Sequence, residues 1–155
     1  NFLLNKKKKN LSNPIYIFLL SFILLLLVPF IGIEVKGSTR WLDLIFLPRL
    51  QPIEIVKPFF IIMLALIISN EKLFNFTTKF FISFLLTSSI VFLLILQPDL
   101  GQTLLIGFSW VILIFVSGIN LLFLISITGI GIILLLYIVF YLPKFEYIKN
   151  RLLSF

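Results

Sequence analysis

Asp99 sits in Gln97-Pro98-Asp99-Leu100-Gly101, a motif that interrupts the longest apolar stretch of the chain and sets a carboxylate between two hydrophobic runs. An ionisable group in such surroundings costs several kcal/mol if it faces lipid, so it turns toward a protein interior, a water-filled cavity or the membrane boundary. A second acid lies in a related setting. Gln51-Pro52-Ile53-Glu54 repeats the Leu-Gln-Pro lead of the first motif, and Lys57 follows Glu54 by one helical turn. Residues three apart share a helix face, and a paired Glu54–Lys57 is cheaper in a membrane than either charge alone. Glu54 also reads as a simple partner of the helix dipole, and Lys57 as a chain that snorkels to the interface. Arg40-Trp41 and Arg49 supply guanidinium groups suited to phosphate and an indole suited to head-group depth. Their residue types fit an interfacial anchor and a head-group-binding site equally well.

Helix starts are the elements that must hold these acids. Pro is at ease at the first helical position, and an acid just after it meets the positive end of the helix dipole. Both Gln-Pro motifs therefore read as helix starts with an acid in the first turn, opening on the same face and directing Glu54 and Asp99 into one region. Asp99 is then either a cap or a member of a functional polar network.

Composition fixes the class: 61% of the 155 residues are hydrophobic, 12% are charged, and mean hydropathy is +1.20. This is the composition of an all-α integral membrane protein. A net charge of +7 on that background meets anionic lipid head groups, and no motif points to nucleic acid. Cysteine and histidine are absent, which excludes disulfides, thiolate metal sites and the commonest general base. Chemistry rests on carboxylates, Lys, Arg and backbone. No cofactor and no metal site is identified, and a divalent cation is left open. A start at Asn1 and an end at Phe155 just after a span lead us to expect a fragment of a longer protein.

Lys6, Lys7, Lys8 and Lys9 precede an apolar run over 15–33. That run is long enough to cross a hydrocarbon core of about 30 Å, and no cleavage signal follows it, so it reads as a membrane helix and not as a signal peptide. Further spans are expected at 52–69, 80–96, 103–116 and 121–142, giving a polytopic helical bundle of about five spans. Residues 34–51, with Glu34, Lys36, Arg40, Trp41, Asp43, Phe46 and Arg49, form the first loop on the far side. Glu71, Lys72 and Lys79 mark a short solvated connection, and Lys144, Lys149 and Arg151 lie after the last span. Basic residues are balanced between the two sides. The orientation therefore rests on the lysine cluster being cytoplasmic.

In order, Lys36-Gly37, Arg40-Trp41, Gln51-Pro52-x-Glu54-x-x-Lys57 and Gln97-Pro98-Asp99-Leu100-Gly101 resemble the motifs of the SEDS family of shape, elongation, division and sporulation proteins, which includes RodA and FtsW. Ile33-Glu34-Val35-Lys36-Gly37 and Gln102-Thr103 look more like the division member FtsW. The resemblance runs from about Ile15 onward and matches the third to seventh of the family's ten helices. Ile53 replaces a usual small residue and Ser38-Thr39 a commoner Ala-Arg type pair.

The resemblance implies a peptidoglycan glycosyltransferase of the bacterial cytoplasmic membrane that polymerises lipid II, releases undecaprenyl diphosphate and works with a class B penicillin-binding protein and other divisome proteins. It places the family's catalytic Asp in a loop beyond Phe155, so the catalytic residue of this chain is unknown. Arg40, Trp41, Arg49, Gln51, Glu54, Lys57, Gln97 and Asp99 are the candidates for a substrate cavity or diphosphate site, with Gly37, Pro52, Pro98 and Gly101 as its structural frame. Apolar helix walls would accept a polyprenyl tail, and a carboxylate elsewhere would deprotonate the acceptor hydroxyl. The same charges would also serve a transporter of lipid-linked precursors, and a membrane scaffold for division proteins is the third reading.

Overall fold

In a computed structural model, residues 2–35, 38–43, 49–70, 75–146 and 149–150 are described, without the side chains of 2–12, 76 and 144. Lys36, Gly37, Phe46, Glu71, Lys72 and Arg151 lie outside the described residues, and with them those parts of the expected loops.

Helix α1 runs over Phe2–Ile31 and contains Pro14 and Pro29. Its apolar part, Asn13–Ile31, is 19 residues long, so it spans a bilayer at about 1.5 Å per residue. Gly32 follows it, its N–H bonded to the Val28 carbonyl oxygen at 2.8 Å, at a place where a Cβ would collide with that same oxygen. The chain then turns into strand β1, Ile33–Val35, paired antiparallel with β2, Ser38–Trp41. The sequence reading has no strand here. Ile33, Val35 and Thr39 are β-branched residues, which suit a short pleated pair even inside a helical protein.

Helix α2 covers Pro52–Ser69, α3 Phe76–Leu96, α4 Leu100–Val116 and α5 Leu121–Tyr141, followed by a short 3-10 turn at Pro143–Phe145. Helix α3 begins before the apolar run at 80 and carries Lys79 within it. Four helices are long and apolar enough to cross a membrane, and α4 is a shorter apolar one. The protein is thus an all-α, multi-pass membrane protein with one small hairpin added.

The chain divides into two units, residues 1–110 and 111–155. In the first, α1 packs chiefly on α2, and α2 packs on α3. Its core is a set of branched and aromatic side chains, including Leu25, Val28, Val56, Phe60, Leu64, Ile90, Leu94 and Ile106. Trp110 joins α4 to α3: its indole N–H donates to Ser83 Oγ at 3.2 Å, and the ring meets Phe80 and Phe84 at 5.6 and 5.7 Å. Large apolar side chains such as Phe30, Phe81 and Phe92 remain exposed, as lipid-facing residues do, since hydrocarbon gives them no reason to hide. Several hydroxyls on these helices are satisfied internally. Ser21, Thr87 and Ser109 each donate to a carbonyl three or four residues back, so none carries an unpaired O–H into lipid.

In the second unit α4 closes at Gly118, whose φ of +87° belongs to the left-handed region where glycine terminates helices at no steric cost. Asn120 then caps α5, accepting from the Leu122 N–H at 2.9 Å. An Asn in that role satisfies one of the donors a helix start leaves open.

Candidate functional site

The site lies where α1, α3 and the hairpin end and α2 and α4 begin. Pro52 is the first residue of α2, Gln51 is its extended N-cap without a side-chain cap bond, and Glu54 falls in the first turn. That part of the helix-start expectation holds. The second Gln-Pro motif behaves differently. Leu100 is the first helical residue of α4, with no acid in its first turn, so Pro98 is not at the first helical position and Asp99 is not in the first turn. The cause is local: the backbone N–H groups of Gln97 and Asp99 both reach back to the last carbonyls of α3, Asp99 to Leu94 at 3.0 Å. The motif closes α3 before it opens α4. Asp99 becomes the N-cap, its carbonyl accepting from Thr103 N–H at 3.0 Å and its Oδ1 from Gln102 N–H at 3.4 Å.

Its other oxygen, Oδ2, faces Arg40 Nε at 3.4 Å, with Asp99 almost fully buried and Arg40 one-third exposed. Arg40 reaches it from a β-bulge. Ile33 pairs with Trp41 and Glu34 with Thr39, so the register slips between them and leaves Arg40 as the extra residue. Such an insertion kinks the strand and re-aims one side chain. An Arg40 Nη also donates to the Pro98 carbonyl at 3.5 Å. The contact with Asp99 is one of charge without hydrogen-bond alignment, since Arg40 Nε and Asp99 Oδ2 both lack a hydrogen-bond partner among the described residues.

Lys57 Nζ lies 2.7 Å from Glu54 Oε2, with Lys57 largely buried and Glu54 half exposed. The ion pair anticipated from the spacing therefore forms. Gln102 Nε2 donates to the other Glu54 oxygen at 3.2 Å. Glu54 and Asp99 thus do share one region, and Gln102 is what connects them. Sequence reasoning missed that role, although the signal was present: a Gln three residues after an N-cap acid is a capping-box pattern. Here the Asp99 N–H is already taken by Leu94, and the Gln102 side chain is turned to α2.

The remaining candidates divide. Gln97 is buried, and its amide donates to the Leu25 carbonyl of α1 at 3.3 Å; it knits helices together inside the unit. Trp41 ends β2 half buried. Arg49 pairs with Asp43 at 3.6 Å, both exposed, across the mouth closed by reciprocal Leu42–Leu50 backbone bonds. Pro52 and Pro98 are buried, whereas a side chain at Gly101 would meet only Asp99 Oδ1, at 4.0 Å. Gly37 is outside the described residues. Each of the three candidate cations has a carboxylate partner, so an incoming anion would meet groups that are already paired. Among the described residues no group of three or more acidic or metal-ligating side chains is placed to hold a metal ion.

Apolar helices whose meeting ends enclose two linked ion pairs define a polytopic membrane protein with a polar site at the boundary of its helical bundle. The family model of the cell cycle proteins FTSW_RODA_SPOVE matches residues 4–155, and the chain belongs to that family. It is 34% identical over 104 residues to "Probable peptidoglycan glycosyltransferase FtsW" of Caulobacter vibrioides (strain NA1000 / CB15N), covering 67% of this chain and 26% of that protein. To peptidoglycan glycosyltransferase MrdB of Escherichia coli (strain K12) it is 33% identical over 105 residues, covering 68% and 28%. Among solved structures, the rod shape determining protein RodA of Thermus thermophilus superposes with a TM-score of 0.66 at 28% identity, over 87% of this chain and 44% of that one. A chain of a peptidoglycan synthase complex that coordinates polymerization and crosslinking gives 0.71 at 27%, over 96% and 44%. The match to each curated relative thus spans about a quarter of that relative's length.

Proposed function

We propose that this chain is part of a peptidoglycan glycosyltransferase that polymerises lipid II at the outer face of the bacterial cytoplasmic membrane, in the FtsW-like division role. The observation that carries the reading is the linked array Arg40–Asp99–Gln102–Glu54–Lys57 at the ends of lipid-exposed helices. Such a place brings a charged head group to polar partners while its hydrocarbon tail stays in lipid. Family membership supplies the reaction class, and the similarity to a chain of a peptidoglycan synthase complex supports a class B penicillin-binding protein as partner.

Of the candidate cations, Arg49 exchanges its partner most readily, because an exposed pair contributes only about 0–1 kcal/mol. It is the first contact for a diphosphate. Arg40 and Lys57 are committed to carboxylates in more buried settings and shape the site. A carboxylate outside this array would take the acceptor hydroxyl proton as undecaprenyl diphosphate departs.

The test is polymerisation of lipid II by the purified full-length protein with its penicillin-binding partner. Glycan chains are expected. Translocation of the precursor across vesicles without polymer would support transport instead, and neither activity would leave the scaffold reading.

A further inference from the structure

We infer that Gln102 is a positioning residue that locks the Arg40–Asp99 and Glu54–Lys57 pairs into one array. It acts through both of its parts. The backbone N–H donates to Asp99 Oδ1 at 3.4 Å, and the side-chain amide donates to Glu54 Oε1 at 3.2 Å. One residue at the start of α4 thereby fixes an acid on its own helix and an acid on α2. The capping-box role is closed to the side chain, since the N–H it would reach there is bonded to Leu94.

An amide suits this position. Glu54 Oε2 is already occupied by Lys57, so Oε1 needs a neutral donor that brings no second positive charge. A carboxylate at 102 would face Glu54 with like charge, and an apolar side chain would leave Oε1 without its donor. The array is also not a closed structural clasp. Gln102 Oε1, Asp99 Oδ2 and Arg40 Nε are all buried without a hydrogen-bond partner among the described residues, and all three belong to it. Groups serving only stability normally satisfy such atoms. These retain unused capacity, as groups held ready to meet a substrate do.

This inference rests on the glycosyltransferase reading, and its test separates the two. Full-length protein is compared as wild type, Gln102→Met, Gln102→Glu, Glu54→Gln and the Gln102→Met/Glu54→Gln double variant. Gln102→Met keeps length and helix propensity, and should lower kcat about tenfold with KM within about twofold, a tenfold loss being about 1.4 kcal/mol of barrier. Gln102→Glu should lose more. The double variant should be no slower than Glu54→Gln alone, because Gln102 acts through Glu54. Losses that multiply in the double variant, or a Gln102→Met enzyme of wild-type kcat, overturn the inference. If the wild type makes no polymer, the proposed function fails. The inference is then decided by the same cycle on thermal unfolding in detergent, where additive shifts overturn it and non-additive shifts support it.

Discussion

Gln97 donates its side-chain amide to the carbonyl of Leu25, the one backbone acceptor in α1 that Pro29 deprives of its helical donor. Residue 29 would normally supply the N–H for the carbonyl four residues earlier, and proline has none. In lipid such a carbonyl has no water to turn to, so a neighbouring side chain must satisfy it. The proline in α1 and the buried glutamine therefore act on one carbonyl, that of Leu25, which lies 72 residues before Gln97 in the chain.

Replacing Gln97 by Leu should cost about 1 kcal/mol, as interhelical hydrogen bonds in membranes do. In a Pro29→Ala background, where the helix again bonds Leu25 itself, the same change should cost close to nothing. A double-mutant cycle on unfolding in detergent measures this, and an unchanged cost would show that the amide serves some other partner.

The two members of the Glu54–Lys57 pair differ in burial, 52% of the Glu54 side chain and 19% of the Lys57 side chain being exposed. Both Glu54→Gln and Lys57→Met should lower polymerisation. Their stability effects should differ, because Glu54→Gln strands a largely buried ammonium and Lys57→Met leaves a carboxylate that still reaches water. Melting points in detergent should fall further for Glu54→Gln, and the reverse order would mean that Lys57 snorkels free of the pair.

Asp99 has separable duties. Asn at 99 keeps an oxygen for the Gln102 N–H and discards the charge opposite Arg40. Stability should then change by about 0.5 kcal/mol or less, while polymerisation by the full-length enzyme with its partner falls at least about tenfold. Wild-type rates would reduce Asp99 to a cap.

Orientation is tested apart from chemistry. A reporter fused after Asn10 should behave as cytoplasmic and one near Asp43 as external. The opposite pattern would put the array on the wrong face for an external substrate.

Helices, their approximate ends and the Glu54–Lys57 pair were legible because each follows from local rules: apolar length, proline and three-residue spacing. The hairpin was not, since three-residue and four-residue strands offer too few alternations to stand out from a loop. Asp99 was placed one step wrongly for a related reason. Whether proline opens a helix or precedes its cap depends on where the preceding helix sends its last carbonyl bonds, and Leu94 decides that here. The missed role of Gln102 depends on the start of α4 coming within hydrogen-bond reach of the start of α2, which no periodicity within either segment reveals.

Arg40 reaches the Pro98 carbonyl across 58 residues of chain, with Asp99 one residue further on, and this separation sets an order of events during synthesis. At about 5–20 residues per second, the ribosome takes roughly 3–12 s to deliver these partners after Arg40 itself has emerged. Through that interval α2 and α3 are made while the bulged strand carries an uncompensated guanidinium. The hairpin therefore acquires its final anchor only when the start of α4 arrives, and the nascent protein passes through a stage in which two helices follow a strand that is not yet fastened down.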